Sequence, residues 1–273
     1  MLVADRTVPL LDTLFGLDGK TALVTGAGSG LGRVIAEGFA QVGADVICAD
    51  IQQSRIDDVA KAIKGAGGRV SPVQVDVASE ASVDAAFRAI PQRQLDVLVN
   101  FAGVAALPAR THELSIEDWH RVISINLTGT FLMTRAALPR MLETGGSIIN
   151  VASVIGIDGY YPDFPSTGLH YAASKAGVIG LTRQLAAEYA AHKIRANVIA
   201  PGWHFGTRLG DFRRQQATAE EQERFMSEIM RRIPMKRTGE PAEILGLALY
   251  LASPASQYVT GQLLVQDGGW TAC

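Results

Sequence analysis

The sequence predicts a doubly wound α/β fold, in which helices cover both faces of a parallel β-sheet. Short runs rich in β-branched residues alternate with segments of helical periodicity along the 273 residues. These runs are continuously apolar rather than alternating, as strands buried on both faces require. No Pro-, Ser- or Gly-rich linker divides the chain. We therefore expect one domain over residues 1–273, with an N-terminal arm at 1–15.

Seven strands are expected, and each is a short apolar run between turn residues. In chain order they are TALVTG, DVICAD, RVSPVQVDV, LDVLVNFAG, GSIINVAS, IRANVIAPG and QLLVQDGG. Helical periodicity predicts six helices, near residues 30–42, 55–65, 79–90, 115–142, 170–192 and 217–252. The last is expected to break at Pro234 and Pro241, because proline cannot donate a helical hydrogen bond.

Composition excludes several classes of partner. The formal net charge of −2 offers no basic surface for nucleic acid or an anionic membrane. No segment approaches the ~20 uninterrupted apolar residues of a membrane span, and the charged N-terminal segment does not resemble a secretory signal. Cys48 and Cys273 form neither a disulfide framework nor a zinc site, so we expect no metal and a cytoplasmic protein.

A glycine-rich turn follows the first predicted strand. The sequence TGAGSGLG, residues 25–32, contains four glycines and leads directly into a helix. Such a turn lets backbone amides and the positive helix end approach a pyrophosphate. The spacing matches neither G-x-G-x-x-G nor the phosphate loop of NTPases. It does match T-G-x-x-x-G-x-G.

The helix expected at 170–192 carries Tyr171 and Lys175 on one face, four residues apart. Taken alone, this pair fits either an exposed polar contact or a chemical role. A free phenol has a pKa of about 10, and a neighbouring ammonium is expected to lower it toward neutrality. Tyr171 could then exchange a proton with a substrate oxygen.

The order of the motifs resembles the short-chain dehydrogenase/reductase family from about Gly16 to Gly269. NFAG at 100–103 resembles that family's N-N-A-G, with Phe101 in place of the second Asn. The remaining family-like motifs follow in order: ISIN ending at 126, VAS ending at 153, YAASK at 171–175, APG at 200–202 and QDGG at 266–269. The resemblance implies a Rossmann domain with a seven-stranded parallel sheet that binds a nicotinamide cofactor.

The resemblance also implies a catalytic set. Tyr171 would be the acid and base, and Lys175 would tune it and hold the nicotinamide ribose. Ser153 would hydrogen-bond the substrate oxygen, and Asn126 would hold a water of a proton relay behind Lys175. The cofactor-binding residues implied are Gly26, Ser29, Gly30, Leu31, Gly32, Asp50, Ile51, Asp76, Val77, Asn100, Ala102, Gly103, Tyr171, Lys175, Pro201, Gly202 and Thr207.

The cofactor is expected to be NAD. Asp50 ends the second predicted strand, 18 residues after Gly32. A carboxylate there hydrogen-bonds the adenosine ribose and repels a 2′-phosphate. Ser29 occupies a position where NADP-using relatives often carry a basic residue. Asp76 resembles the residue that contacts the adenine amine, with Val77 packing nearby.

The substrate region departs from the family pattern. An aromatic segment, residues 158–168, separates Ser153 from Tyr171, and we expect Tyr160, Tyr161 or Phe164 to line the pocket, or else an interface between subunits. Residues 203–216 are expected to form a substrate lid that includes Trp203 and His204. Its arginines would suit a carboxylate, although such a run is more typical of a solvated face.

These inferences converge on an oxidoreductase that interconverts a small secondary alcohol and a ketone using NAD(H). The DGGW ending resembles sugar-acid dehydrogenases, which favours a polyol, sugar or sugar acid. The alternatives are a 3-oxoacyl-thioester reductase and a non-catalytic cofactor-binding protein. The resemblance also implies a homotetramer built on the helices at 115–142 and 170–192.

Overall fold

A seven-stranded parallel sheet forms the centre of the protein. The computed structural model describes residues 10–105, 109–158, 168–204 and 218–272. The strand order is β3-β2-β1-β4-β5-β6-β7, and every neighbouring pair is parallel. The strands are β1 (Thr21–Thr25), β2 (Asp45–Asp50), β3 (Arg69–Gln74), β4 (Val97–Asn100), β5 (Gly146–Val151), β6 (Ile194–Pro201) and β7 (Leu263–Gln266).

Helices connect the strands and cover both faces of the sheet. They are α1 (Leu10–Phe15), α2 (Gly30–Gln41), α3 (Gln53–Gly65), α4 (Glu80–Ala89), α5 (Ile116–Ile123), α6 (Gly129–Ala137), α7 (Leu169–Tyr189), α8 (Ala219–Arg232) and α9 (Ile244–Ala252). A π-helical turn, Ser124–Thr128, joins α5 to α6. Short 3-10 turns occupy Leu138–Arg140, Val154–Gly156, Ala190–His192, Pro241–Glu243, Pro254–Ser256 and Trp270–Ala272.

The predicted fold class, all seven strands and the break in the last helix are confirmed, and three other details differ. The helix expected over 115–142 is divided, because the π turn at Ser124–Thr128 interrupts its regular hydrogen bonding. The helix expected over 217–252 is two helices, as the prolines predict. Strand β3 is only partly buried because it is an edge strand. Part of the expected arm forms α1, and residues 1–9 lie outside the described residues.

Each face of the sheet has its own apolar core. Leu23 and Val24 are neighbours in β1, and their side chains enter opposite cores because successive strand residues point to opposite faces. Val24 packs with the core under α2 and α9, whereas Leu23 packs with the core under α4 and α6. Within the described ranges, no helix is both long and apolar enough to cross a membrane.

A chain of buried amides crosses the carboxyl ends of two central strands. Asn100 and Asn150 are paired residues of β4 and β5, and the Asn100 Nδ2 donates to the Asn150 Oδ1 at 2.8 Å. The Asn150 Nδ2 donates in turn to the Thr182 Oγ1 at 2.9 Å, and the Asn100 Nδ2 also reaches the Thr134 Oγ1 at 3.0 Å. Two strands and two helices are therefore tied together beneath the edge where ligands bind in such sheets.

Asn150→Ala is expected to lower the free energy of unfolding by about 2–3 kcal/mol, because it leaves buried polar partners unsatisfied. For a chain of this size, that corresponds to a fall in Tm of roughly 4–12 °C in differential scanning calorimetry. Gln74→Ala, on the exposed rim of β3, is the matched control and is expected to change the free energy by less than about 0.5 kcal/mol. Equal Tm values for the two variants would contradict this role of Asn150.

Candidate active site

The predicted site residues gather at the carboxyl edge of the sheet. Thr25, Asp50, Asn100, Val151 and Pro201 are the last residues of five parallel strands. Chain order reverses between β1 and β4, which are neighbours in the sheet. Ligands of doubly wound sheets bind in the crevice outside such a reversal.

The glycine-rich turn brings bare backbone to this crevice. Gly26 and Gly30 have positive φ angles of 67° and 56°, which glycine adopts without strain. A Cβ at Gly26 would lie 2.9 Å from the amide nitrogen of Ala102, so the turn packs directly on the segment after β4. The Thr25 Oγ1 accepts hydrogen bonds from the amides of Phe101 and Ala102, both at 3.0 Å.

The start of α2 fits a phosphate group. Ser29 is the N-cap residue, and its side chain makes no capping hydrogen bond within the described residues. The first amides of the helix, at Leu31 and Gly32, therefore lack the usual side-chain acceptor and carry the positive end of the helix dipole. The glycines of the turn, which lack Cβ atoms, and the amides at the helix start together suit a dinucleotide pyrophosphate.

Asp50 lies beside this turn and is held there by backbone donors. Its Oδ2 accepts from the amide of Gly28 at 3.1 Å, and its Oδ1 accepts from the amide of Gln52 at 3.0 Å. The two backbone donors fix the direction of the carboxylate. The neighbouring Ile51 is 57% exposed, so its side chain lies on the surface at the same edge.

The side chains of three other residues expected to bind the cofactor have different surroundings. The Asp76 Oδ1 accepts from the amide of Ala78, and Val77 is buried against Gly129. Asn100 is different, because its amide group bonds within the sheet to Thr134 and Asn150. Its side chain thus supports the fold beneath the site.

Ser153, Tyr171 and Lys175 meet where β5 ends. The Ser153 side chain lies near the Tyr171 phenol and acts to lower its pKa, and the Lys175 Nζ lies 5.7 Å from the centroid of the Tyr171 ring. The Lys175 Nζ donates to the carbonyl of Val151 at 2.8 Å. All three side chains belong to buried residues, so their interactions act in a poorly solvated environment.

Burial gives these groups pKa values that the sequence did not predict. Burial raises the pKa of Tyr171 to about 12, with the Ser153 side chain acting in the opposite direction. Burial also lowers the pKa of Lys175 to about 8. The expected lowering of the Tyr171 pKa is therefore wrong for the chain by itself. The ammonium is bonded to Val151 rather than to the phenol, and desolvation of the phenolate dominates.

Asn126 is fully buried in the π turn and reaches the catalytic helix through a residue that the sequence analysis missed. The Asn126 Oδ1 accepts from the amide of Val104 at 2.8 Å. The Asn126 Nδ2 donates to the Val104 carbonyl at 3.0 Å and to the Ser174 Oγ at 3.1 Å. Ser174 then donates to the carbonyl of Tyr171 at 2.8 Å. The sequence feature that could have identified Ser174 is its position inside YAASK, directly before Lys175.

Gly103 packs against both Asn126 and Lys175. A Cβ at Gly103 would lie 3.2 Å from the Asn126 Oδ1 and 3.6 Å from the Lys175 Nζ. The structure therefore brings all four predicted catalytic residues together. Functional sites often contain π turns such as the one that carries Asn126.

Beyond β6, the chain turns into an aromatic cluster. Gly202 follows Pro201 and packs closely against the backbone of Asp267. Trp203 makes edge-to-face contacts with Phe225 and Trp270, each with ring centroids 5.5 Å apart. His204 forms a parallel bridge with Gly239, and burial lowers its pKa. Thr207, Tyr160, Tyr161, Phe164 and lid residues 205–216 lie outside the described residues.

Comparison with known proteins defines the class to which this site belongs. A family model described as enoyl-(acyl carrier protein) reductase matches residues 26–271. The 3-oxoacyl-[acyl-carrier-protein] reductase of Thermotoga maritima is 40% identical over 258 residues, which cover 93% of this chain and 98% of that protein. D-threitol dehydrogenase of Mycolicibacterium smegmatis is 39% identical over 270 residues, 96% of each chain.

A solved structure agrees in fold. The gluconate 5-dehydrogenase of Burkholderia cenocepacia J2315, in complex with NADP and tartrate, has a TM-score of 0.86 and 34% identity. The match covers 96% of this chain and 99% of that one. The protein therefore belongs to the short-chain dehydrogenase/reductase family. It is an oxidoreductase of the kind that uses a nicotinamide cofactor.

Gly26→Ala is expected to weaken NADH binding at least about tenfold, because the new Cβ would meet the backbone at Ala102 and strain a positive φ. Fluorescence titration with NADH measures the Kd. Gly65→Ala is the matched control, since a Cβ there meets nothing within 4 Å. A Kd for Gly26→Ala within twofold of the control value would show that the close packing of the turn is not needed for binding.

Proposed function

We propose that this protein is an NAD-dependent dehydrogenase that interconverts a secondary alcohol and a ketone in a small polyol, sugar or sugar acid. The observation that carries the proposal is the placement of the buried Ser153 side chain beside the Tyr171 phenol, with the buried Lys175 ammonium beside the phenol ring. Two hydroxyl groups are thus directed at one point beside a glycine-rich cofactor turn. That arrangement suits proton transfer to or from a single substrate oxygen.

Tyr171, Ser153 and Lys175 would each have a separate role in the reaction. The bound nicotinamide supplies or accepts the hydride. In ketone reduction, the Tyr171 hydroxyl gives its proton to the carbonyl oxygen, and Ser153 donates a hydrogen bond to the same oxygen as negative charge develops there. In alcohol oxidation, Tyr171 takes the hydroxyl proton instead. Lys175 favours that direction when charged, because its ammonium stabilises the phenolate.

The resting protonation state keeps a proton on Tyr171. With a pKa of about 12, Tyr171 holds its proton at neutral pH, which suits ketone reduction. Asn126 and Ser174 would position Tyr171 through its backbone, and a water held near Asn126 would extend the proton path behind Lys175. The Asn126 side chain is bonded to Val104 and Ser174, and its main-chain carbonyl accepts from the Thr130 Oγ1 at 2.8 Å, so the water would use a second lone pair of one of these oxygens.

Relatives support a polyhydroxy substrate. One relative is named for D-threitol and another for gluconate, and both molecules carry several hydroxyl groups. The Thermotoga relative favours the second candidate, reduction of a 3-oxoacyl thioester, and the family description names a reductase of a different acyl thioester. Asp50 argues against that candidate, because an NADPH-dependent reductase would have to accept a 2′-phosphate beside its carboxylate.

The proposal also covers the localisation, the assembly and the substrate lid of the protein. The chain would be one cytoplasmic catalytic domain that assembles as a homotetramer, with residues 203–216 as a substrate lid. Exposed apolar residues on the helices that would pair, Phe131 and Leu169, support the assembly. The aromatic segment between Ser153 and Tyr171 would supply a wall of the pocket.

Tyr171→Phe tests the chemistry. The parent protein is first assayed with NAD and a panel of polyols, sugars and sugar acids, and with NADPH and a 3-oxoacyl thioester, following absorbance of the reduced cofactor. On the best substrate, Tyr171→Phe is expected to lower kcat by ~10² or more through loss of the proton donor, while the Kd for NADH stays within about twofold.

Tyr189→Phe, at the other end of the same helix, is the matched control and should retain full turnover. Retained turnover in Tyr171→Phe would remove the assignment of the acid. A parent that reduces only the thioester with NADPH would replace the proposed reaction by its rival.

Asp50→Ala combined with Ile51→Arg tests the cofactor. The pair removes a fixed negative charge and adds a guanidinium for a 2′-phosphate, so the ratio of kcat/KM for NAD to that for NADP is expected to fall at least about 100-fold. Ile51→Arg alone is the control that keeps the carboxylate. A parent protein that already prefers NADP would show that the Asp50 assignment is wrong.

A further inference from the structure

The turn that carries Ser153 is short and internally bonded. The Ser153 Oγ accepts from the amide of Ile155 at 3.2 Å, and the Ser153 carbonyl accepts from the amide of Gly156 at 2.9 Å. The amide of Asp158 donates to the carbonyl of Val154 at 2.9 Å. These hydrogen bonds connect Ser153 to Asp158 within one short turn, so we expect a displacement of the Asp158 side chain to shift Ser153.

One side of this turn rests on the catalytic helix. A Cβ at Gly156 would lie 2.8 Å from both the carbonyl carbon and the Cβ of Lys175, so the backbone of the turn lies directly on α7. This contact sets how deep the turn lies.

The other side of the turn is fixed by a partly buried ion pair. The Arg232 Nη2 lies 3.1 Å from the Asp158 Oδ2, and the two side chains are 24% and 28% exposed. The Arg232 guanidinium also lies over the ring of Trp270, 4.0 Å from its centroid, and Trp270 is 2% exposed. A stacked, paired guanidinium has a defined plane and direction, unlike an exposed lysine pair.

An apolar cluster lies beneath the ion pair. Val154 from the turn, Ile229 from α8 and Ile233 just after α8 are buried together with Trp270. The cluster supplies non-directional attraction between α8 and the turn. The ion pair adds a fixed direction, because it joins the last residue of α8 to the last residue of the turn.

We propose that Arg232 is a positioning residue, which fixes the Ser153 hydroxyl opposite Tyr171 through its ion pair with Asp158. The inference rests on the proposed function, in that Ser153 must meet the same substrate oxygen as Tyr171. Arg232 itself takes no part in proton or hydride transfer. Small displacements of such a group are costly: a 1 Å misplacement can lower a rate by ~10².

Amide hydrogen exchange of the cofactor-free protein tests whether Arg232 restrains the turn that carries Ser153. Arg232→Met keeps an apolar stem but removes the charge and the planar stack. The peptide containing the amides of residues 155–158 is expected to exchange at least about fivefold faster in this variant than in the parent protein. Arg231→Met is the matched control, since Arg231 is 76% exposed and pairs with Glu228 on its own helix. Its exchange in that peptide is expected to match the parent.

Kinetics test the consequence for Ser153. On the best alcohol substrate, Arg232→Met is expected to lower kcat about tenfold while the Kd for NADH stays within twofold. Asp158→Asn should reproduce the loss. The double variant should be no slower than either single variant, because both changes break the same contact. Thermal unfolding confirms that all variants are folded.

Three results would overturn the proposal: unchanged exchange at residues 155–158 in Arg232→Met, equal effects in Arg231→Met, or losses in the double variant that multiply. Failure of the proposed function gives a different result. A parent protein that turns over no alcohol in the presence of NAD would refute the reaction, while the exchange measurement would still decide whether Arg232 holds the turn.

Discussion

The hydrogen bond from the Lys175 ammonium to the carbonyl of Val151 ties the catalytic helix to the end of strand β5. Both groups lie in the interior, where an unpaired ammonium would be costly, so the bond fixes where α7 crosses the sheet. Tyr171 lies one helical turn earlier on α7, and Ser153 lies two residues beyond Val151. The relative position of the two hydroxyl groups therefore depends on this bond.

Among the described residues, most of the polar groups around that bond are hydrogen-bonded to one another. Asn126 joins the segment after β4 to Ser174, and Asn150 joins β4, β5 and α7. Such networks cost free energy if one member is left unsatisfied, which makes each of them a strong constraint on geometry. The site is preorganised by the same hydrogen bonds that hold the sheet to its helices. A change to Asn126 or Asn150 is therefore expected to alter stability and the geometry of the site together.

Different kinds of interaction form the two ends of the crevice. At the end proposed for the cofactor, bare backbone and a fixed carboxylate at Asp50 present directed hydrogen-bonding groups. At the end proposed for the substrate, aromatic rings and apolar side chains from α8 and the C-terminal turn pack around Trp203 and Trp270. The Asp158–Arg232 pair joins the turn after Ser153 to α8 beside that apolar packing and supplies the direction that apolar contacts lack.

Much of this protein could be predicted from local patterns in the sequence. Continuous apolar runs separated by segments of helical periodicity predicted the seven strands. The turn at 25–32 and YAASK predicted the two halves of the site, because the functional residues of each motif lie within a few positions of one another in the sequence. The sequence could not predict the π turn, the role of Ser174, or the contact between Asp158 and Arg232. That contact joins residues 74 apart in sequence, and no local period marks it.

The pKa of Tyr171 shows most clearly what only the tertiary structure decided. The four-residue spacing placed the phenol near the ammonium, and the structure confirms that proximity. The spacing alone could not show that both groups would be buried, or that the ammonium would bond to Val151. The sequence determined which groups share a helix face, since that depends on the period of the helix. The fold decided their solvation, since that depends on every segment packed around them.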